Sequence, residues 1–350
     1  MKKSIIFILI FFLIIVVSFL IFLLFLWWND NPKLNKKSNP PIAELSINSI
    51  KNQASKNLKI ASYNIHFGIG LDIKTKEIDE ASYIKRLNSL ASVIKNLDAD
   101  IILLQEVDFH SKRSFFIDEA NFIAKKAGYK YIAEAPTLKR KLHIFYNFVC
   151  GKLDYGICIL SKYPIETNEL VIFDYSKEIP FYIKWLFDPH GAQKCTIDLN
   201  GKKLEVVNLH LDPWSQLLRE EQIKLIKNLW LDHSTNPKIV AGDFNTISYY
   251  DKSKKGLSQQ DAPWFVDRKN WNLKNEKTLK MLLNMGFQDA FAVKLFLTTK
   301  TLFTYPADKP KEKIDHILTE NTIKIIRGII FDKAKTASDH LPVCAEVKID

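Results

Sequence analysis

The chain has 350 residues, of which 47% are hydrophobic and 25% are charged, and this composition excludes an intrinsically disordered chain. The net charge is +11; five lysines against Asp30 give residues 1–37 a charge of +4, so the remainder carries +7. Such a surplus favours anionic partners such as phosphates, nucleic acid or anionic lipid without choosing among them, and a solvated lysine-rich surface explains it equally well.

The N-terminal segment has the composition of a membrane span. From Ile5 to Trp28 no residue is charged, and Ser18 is the only polar side chain. About 20 apolar residues cross a bilayer as a helix, whereas the apolar region of a cleaved signal has on the order of 7–15. No small-residue cleavage site follows, and the tryptophans at 27–28 suit a membrane interface. The pattern favours an uncleaved anchor over a long cleaved signal, and the lack of a polar face argues against a core helix.

Three parts of the chain follow from this: an anchor at 1–28, a tether at 29–57 rich in Asn, Lys, Ser and Pro, and a globular domain at 58–350. Lysines flank the span on both sides, so the positive-inside rule gives no clear orientation. Because a short Lys-Lys tail before a first span usually stays in the cytoplasm, we expect a single-pass membrane protein with its domain on the non-cytoplasmic side.

Apolar strand-like runs alternate with amphipathic helical stretches from residue 58 onward. The predicted strands are Leu58–Ile65, Ile101–Leu104, Tyr155–Leu160, Leu170–Phe173, Lys194–Leu199, Lys203–Leu209, Lys238–Ala241, Ile314–Leu318, Ile323–Ile330 and Val343–Ile349. The predicted helices are Ala81–Leu97, Ser215–Leu231 and Thr278–Met285, and Asn200-Gly201 is a hairpin signal. Tyr249–Asn275 has little periodicity and is expected to be a surface loop. Many strands with few helices favour an α+β fold in which two mixed sheets pack face to face with helices outside.

The four cysteines predict neither a zinc site nor a redox site. Cys150, Cys158, Cys195 and Cys344 form no Cys-x-x-Cys pair, and a chain of this size does not need disulfides. We expect buried free thiols rather than two disulfide bonds.

Polar residues stand at the ends of apolar strands, where active sites collect. Each has an ordinary explanation when taken alone. Glu106 can be the first exposed residue of a strand, Asp243 and Asn245 can form a turn, and His210 can be a structural histidine. However, Glu106 as a hard oxygen ligand suits Mg²⁺, and two residues spaced two apart face the same way on an extended chain. Their joint occurrence in this order predicts one shared site.

The joint pattern resembles the endonuclease/exonuclease/phosphatase superfamily over residues 58–347. The motifs are Tyr-Asn-Ile at 63–65, Gln-Glu at 105–106, Asn-Leu-His-Leu-Asp at 208–212, Gly-Asp-Phe-Asn at 242–245, Ile-Asp-His at 314–316 and Ser-Asp-His-Leu-Pro at 338–342. With the apolar leader, the chain looks like a bacterial membrane-anchored member. The resemblance implies a four-layer α/β sandwich with its site at one end of the two sheets. Leu209 and Ile157 depart from the pattern common in the family and leave substrate preference open.

The resemblance also implies a metal site. Glu106 would hold a divalent cation, Mg²⁺ with Mn²⁺ as its substitute, with Asn64 and Asp339 nearby. Arg113, which follows shortly after Glu106, would touch the substrate phosphate, although a plain surface arginine is equally consistent with the sequence.

A second set of residues would carry the acid–base chemistry. By resemblance, Asp243 orients or deprotonates the attacking water and Asn245 holds the phosphate or the metal. His340 stabilises the phosphoryl oxygens or acts as an acid or base, Asp315 fixes the His340 ring, and His210 protonates the leaving oxygen. An imidazole that titrates near neutrality suits such proton transfers.

The expected reaction is metal-dependent hydrolysis of a phosphate ester, with a phosphodiester favoured. The anchor and the aromatic-rich stretches Leu142–Val149 and Ile179–Phe187 favour a lipid headgroup or another membrane-proximal ester, although those stretches also fit packing insertions. The +7 charge of the domain motivates the alternative of a nuclease acting on DNA or RNA, but no aromatic-interleaved basic motif supports it. A catalytically silent membrane scaffold is the third alternative, and the intact set of acidic and imidazole residues argues against it.

Overall fold

A computed structural model of the chain describes residues 2–29, 33–47, 57–71, 78–143, 151–177, 179–180, 184, 187–246, 277–291 and 303–349. The first helix, α1 (Lys2–Asn29), exposes most of its large apolar side chains between Ile5 and Leu24. Its segment Lys3–Leu24 has a mean hydropathy of 3.6, so the helix is long and apolar enough to cross a membrane. An N-terminal signal sequence has the same properties.

The first of two sheets has seven strands, numbered here along the chain. In spatial order they are β1 (Lys37–Ser38), β7 (Ile165–Ile172), β8 (Gly191–Leu199), β9 (Lys202–His210), β10 (Lys238–Asp243), β12 (Asp315–Glu320) and β11 (Phe287–Asp289). The pair β9–β10 is parallel and every other neighbouring pair is antiparallel, so the sheet is mixed.

The second sheet also has seven strands and is mixed. Their spatial order is β13 (Ile323–Ile330), β14 (Val343–Ile349), β3 (Leu58–Asn64), β4 (Ile101–Asp108), β6 (Gly151–Ser161), β5 (Tyr131–His143) and β2 (Ile42–Glu44). Only the pair β3–β4 is parallel. The two sheets pack face to face through apolar side chains that form one buried cluster, including Ile60, Leu103, Val206 and Ile239.

Helices cover both outer faces, which completes four layers. On the second sheet lie α2 (Glu80–Leu97) and α3 (Glu119–Ala127), whose buried faces join the same cluster. On the first sheet lie α4 (Gln216–Ile226) and α5 (Thr278–Asn284). Aspartates at positions 79 and 118 begin α2 and α3 because each carboxylate accepts a backbone N–H of the first turn. The four-layer sandwich with two mixed sheets, expected from the resemblance, is therefore confirmed.

A buried amide chain joins the two sheets. Nε2 of Gln105 on β4 donates to Oδ1 of Asn208 on β9 at 2.7 Å and to Oγ of Ser62 at 3.1 Å. Nδ2 of Asn208 in turn donates to the carbonyls of Leu104 and Cys158 at 3.0 and 3.2 Å. Because buried polar groups are costly when unpaired, this chain specifies how the sheets are seated on each other. The asparagine of the 208–212 motif thus serves the architecture.

Residues 33–47 pair with the edges of both sheets. Leu34 forms a parallel bridge with Ile172, β1 extends the first sheet at β7, and β2 extends the second sheet at β5. This stretch lies within the predicted tether at 29–57, so at least that part of the segment is built into the domain.

Most predicted elements are present with ends shifted by a few residues. The predicted helix Ser215–Leu231 ends as an α-helix at Ile226 and continues as a π-helical turn at Lys227–Leu231. Cys158, Cys195 and Cys344 are buried free thiols, as expected. Helix α3 and strands β1, β2, β5 and β11 were not predicted. The predicted loop Tyr249–Asn275, most of the stretch Leu142–Val149 and Cys150 lie outside the described residues.

Replacing Asn208 with alanine tests the bridge between the sheets. The change leaves two carbonyls and one amide donor of a buried network without their partner, so we expect the free energy of unfolding to fall by about 2–3 kcal/mol. Urea unfolding of the detergent-solubilised chain measures it. The control Asn88→Ala removes one intrahelical bond to the Ile84 carbonyl and should change stability by less than about 0.5 kcal/mol. Equal, small effects of both changes would contradict the structural role.

Candidate active site

Strand ends from both sheets meet at one end of the sandwich. The parallel strands β9 and β10 end with His210 beside Asp243, and the antiparallel β12 begins with Asp315 opposite Asp243. Gly242 allows β10 to approach β9 this closely, because a Cβ there would lie 2.0 Å from the Leu209 carbonyl oxygen. In the second sheet, β3 ends at Asn64 beside β4. The topology therefore brings distant motifs to one place.

Glu106 stands at an irregularity of β4. The register between β4 and β6 shifts between Leu104 and Val107, and Glu106 has a left-handed backbone with φ of 54°. Such a bulge re-aims the side chain of the extra residue. The Glu106 carboxylate is one-fifth exposed, and its Oε1 accepts a hydrogen bond from Nδ2 of Asn64 at 3.0 Å.

Asn64 connects the carboxylates of the two sheets. The same Nδ2 that bonds Glu106 also donates to Oδ2 of Asp243 at 3.1 Å. Its Oδ1 accepts the backbone N–H of His66 at 3.0 Å, and its carbonyl accepts the Ser338 hydroxyl at 2.7 Å. With both ends of the amide and its backbone occupied, Asn64 has one orientation.

Asp315 and His340 form a buried pair. Nδ1 of His340 lies 2.9 Å from Oδ2 of Asp315, so the ring presents Nε2 to Asp243, 3.7 Å from its Oδ2. Burial acts to lower the pKa of His340, but Asp315 and Asp243 outweigh it and raise the pKa well above its usual value. The ring is therefore held as an imidazolium between two carboxylates.

Asp243 is almost fully buried, at 1% exposure. Burial raises the pKa of Asp243 to about 7, and the neighbouring charge of Asp315 adds to the rise, while His340 and the Asn64 hydrogen bond oppose it. Its Oδ1 accepts the backbone N–H of Asn245 at 2.9 Å. The side chain of Asn245, whose φ is 48°, donates to the Leu211 carbonyl at 2.9 Å. Asp243 is therefore held in place by Asn64 at the end of β3 and by the residues that follow β10.

His210 approaches the same carboxylates from the other side. Its Nε2 lies 3.8 Å from Oδ2 of Asp243 and 3.9 Å from Oε1 of Glu106. Burial lowers the pKa of His210 well below its usual value, and His190 and His340 lower it further. His190 packs its ring edge-on against His210, with centroids 4.4 Å apart. His210 is therefore neutral at pH 7, in contrast to His340.

The structure places the remaining predicted residues at different distances from this centre. Oδ1 of Asp339 lies 3.5 Å from Nδ1 of His66, two residues after Asn64, which puts Asp339 at the rim. Arg113 holds Asp108 through two hydrogen bonds of 2.8 and 2.9 Å, and its guanidinium lies 3.4 Å from the centroid of the Phe67 ring. These contacts tie Arg113 into the wall of the site, and its contact with substrate stays a prediction.

The donor atoms suit a divalent cation. Asp243, Asp315 and His340 each offer a ligand atom, and the three atoms lie within 4.8 Å of one another. Oδ1 of Asp315 is buried, and no donor among the described residues bonds it. In the part of the chain that the structure describes, the salt-bridge partners of Glu106, Asp243, Asp315 and Asp339 are histidines alone. Four carboxylates that are only partly compensated by histidines, together with the oxygen-rich donors, fit a hard divalent cation such as Mg²⁺ or Mn²⁺.

Several residues around the site were not singled out from the sequence. His190 has no motif of its own and becomes visible only through its ring contact with His210. A second buried cluster lies behind Asp315, where Asp289 accepts from Lys313 at 2.9 Å and contacts Nδ1 of His316 at 3.1 Å. The partners of Asp289, Lys313 and His316, lie within two residues of Asp315 in the sequence. This proximity was the one sequence signal for the cluster.

Comparison with known proteins decides the family. The sequence model of the Endonuclease/Exonuclease/phosphatase family matches residues 61–340. The chain belongs to this family. Its members are hydrolases that act on phosphate esters and generally depend on a divalent metal. No curated protein sequence matches the chain.

Solved structures of family members share the fold of this chain. An endonuclease/exonuclease/phosphatase from Beutenbergia cavernae superimposes with a TM-score of 0.58 at 18% identity, covering 84% of this chain and 72% of its own. One from Bacteroides vulgatus gives 0.57 at 15% identity, covering 85% and 100%. A mannosyl-6-phosphatase from Bacteroides thetaiotaomicron gives 0.54 at 15% identity, covering 83% and 99%. At these identities the similarity shows the fold.

The change Asp315→Asn tests the electrostatic pairing between Asp315 and His340. With the carboxylate charge removed, burial should dominate, and the pKa of His340 should fall towards or below its usual value. An NMR titration of the metal-free protein, observing the histidine ring signals, measures this. Asp289→Asn is the matched control, since it removes a buried carboxylate beside His316 and should leave His340 unchanged. A high pKa of His340 that persists in Asp315→Asn would show that Asp315 is not its charge partner.

Proposed function

We propose that this protein is a divalent-metal-dependent phosphoesterase that cleaves a phosphodiester by attack of a water molecule activated by Asp243. One observation carries the proposal. Oδ2 of Asp243 is hydrogen-bonded to Asn64 and faces Nε2 of both His340 and His210, at 3.7 and 3.8 Å. A buried carboxylate flanked by a charged and a neutral imidazole has the components of acid–base hydrolysis.

The metal would be held by Glu106, with Asn64 and Asp339 beside it. When bound, a divalent cation neutralises the phosphoryl oxygens and so lowers the barrier to attack on an anionic ester. Asp243, Asp315 and His340 are the alternative ligand set. We favour Glu106 because His340, paired with Asp315 and held as an imidazolium, has no free nitrogen lone pair for a metal, whereas the Glu106 carboxylate is one-fifth exposed.

The protonation states distinguish the roles of the two histidines. Asp243, with a pKa of about 7, can accept a proton from water near neutrality. His340 is positively charged, so it can stabilise the phosphoryl oxygens and donate a proton to the leaving oxygen. His210 is neutral and orients the ester or the water by hydrogen bonding. The opposite pKa shifts therefore favour His340 over His210 as the proton donor.

The parts of the chain are proposed as follows: a retained anchor at 1–28, a connecting segment at 29–57 and the catalytic domain at 58–350. The span would hold the domain on the non-cytoplasmic side. The mannosyl-6-phosphatase of similar fold acts, by its name, on a phosphate monoester. Activity assays therefore need paired mono- and diesters.

The change Asp243→Asn tests the base. We expect turnover to fall by about 10²–10⁴-fold with the fold intact, because the amide cannot take the proton of water. The full chain in detergent with Mg²⁺ is offered a generic bis-ester, the matching mono-ester, plasmid DNA, sphingomyelin and phosphatidylinositol phosphates. The exposed Asp232→Asn serves as control. Near-full activity of Asp243→Asn would refute the assignment, cleavage of DNA alone would make the protein a nuclease, and no turnover with any divalent metal would favour a scaffold.

The change Glu106→Gln separates the two ligand sets. If Glu106 holds the cation, the affinity for Mg²⁺ measured by calorimetry should fall by roughly tenfold or more. His340→Gln, which removes a ligand of the alternative set, should leave the affinity within about threefold of the native value. The reverse pattern would move the cation to the Asp243, Asp315 and His340 set.

A further inference from the structure

The segment that follows the apolar helix contacts the domain within a few residues of the end of the helix. We call residues 33–47 the strap. The backbone N–H of Asn35 donates to the Ile172 carbonyl at 2.7 Å, and Oδ1 of Asn35 accepts the backbone N–H of Asp174 at 3.1 Å. Farther along, Lys37 pairs with Glu169 at 3.3 Å, and Leu45 donates to the Lys130 carbonyl at 2.8 Å. The strap thus crosses the edges of both sheets and holds them together.

Chain length limits how far the strap lies from the helix. Asn35 is six residues beyond the last residue of α1, Asn29, and an extended chain spans at most about 3.6 Å per residue, so the distance is at most about 22 Å. A domain of about 290 residues has a radius of gyration of about 19 Å. Its diameter is therefore more than twice the reach of about 22 Å. The edge that carries the strap therefore faces the end of the helix, and the far edge cannot.

The strap is attached at the rim of a cleft that leads to the active site. Asp174 and Tyr175, next to the Asn35 contact, line a narrow cleft together with His190 and Asp212. His190 packs edge-on against His210, so the His190 side of the cleft adjoins the site.

The charges on the strap suit a lipid surface. Lys33 and Lys36 are exposed and flank Asn35, the residue that contacts the cleft rim, in the sequence. Basic residues next to a span are attracted to anionic lipid headgroups. The described part of the loop after Asp174 adds Lys177, whose side chain is 89% exposed.

We propose that the strap holds the mouth of the cleft lined by Asp174 and His190 against the membrane in which α1 is anchored, and that the substrate is a phosphate ester carried by a lipid of that membrane. This inference rests on the proposed phosphoesterase function, because it names the source of the ester. The partner surface is the bilayer, and the reaction occurs on lipids of the leaflet that faces the domain.

Lengthening the connection tests the proposal. A flexible 20-residue Gly-Ser insertion placed directly after Asn29, ahead of the strap, adds about 25 Å of average reach and frees the orientation of the domain. In proteoliposomes, turnover of the lipid substrate should fall by roughly fivefold or more, whereas turnover of a soluble bis-ester should not change. The matched control is the same insertion between Ile47 and Asn57, which leaves the strap joined to the helix and should preserve both activities.

These outcomes separate the two proposals. Lipid turnover that is insensitive to the first insertion would overturn the inference while leaving the phosphoesterase intact. Loss of lipid turnover in both insertion variants would show that the strap is not the cause. The inference would also be overturned if the mature chain is found to begin after α1.

A distance measurement tests the same point without any substrate. Dyes are placed on K177C, beside the cleft, and on K324C, on the opposite edge of the second sheet, in a Cys150→Ser background. Energy transfer to an acceptor in the lipid headgroups should be stronger from the first position, and the difference should shrink with the insertion after Asn29. Equal transfer from both positions would refute the inference even if the enzyme proves to have another activity.

Discussion

The active site depends on one side-chain amide. Nδ2 of Asn64 bonds Glu106 on its own sheet and Asp243 on the other, at 3.0 and 3.1 Å. Two carboxylates held this close repel each other, and the nearby Asp315 adds a third charge. The amide dipole and the imidazolium of His340 offset part of this repulsion, and a cation would offset more. The accumulation of negative charge is the physical basis for the proposed metal site.

That amide can act only because the two sheets are seated in one register. The buried bonds from Gln105 to Asn208 specify the seating, and the strand ends beyond them deliver the polar side chains to one end of the sandwich. Similar groups then acquire different properties from their surroundings. His340 lies between two carboxylates and is charged, whereas His210 lies against another histidine and is neutral. Burial and neighbouring charges therefore shift the pKa values of two chemically identical rings in opposite directions.

The edge of the domain that carries the strap links this chemistry to the N-terminal helix. In a free tether the distance between helix and site would vary with the chain's conformation. Here Asn35 is fixed to Ile172 and Asp174, so only the few residues between Asn29 and Asn35 can vary the distance between the helix and the domain. The same backbone bonds close exposed strand edges, which otherwise invite pairing with other molecules. One short segment therefore contributes to both the stability of the edges and the placement of the cleft.

The sequence by itself determined the family, the apolar span, most strands and helices, and the set of acidic and imidazole residues that meet at the site. These features depend on local periodicity and on motifs that can be read from neighbouring residues. Only the tertiary structure decided that the strap pairs with both sheets, that Glu106 is turned by a bulge, and that His190 supports His210. Pairings such as that of Leu34 with Ile172 join residues more than a hundred positions apart. Such contacts arise from how the sheets pack, and no local pattern in the chain specifies them.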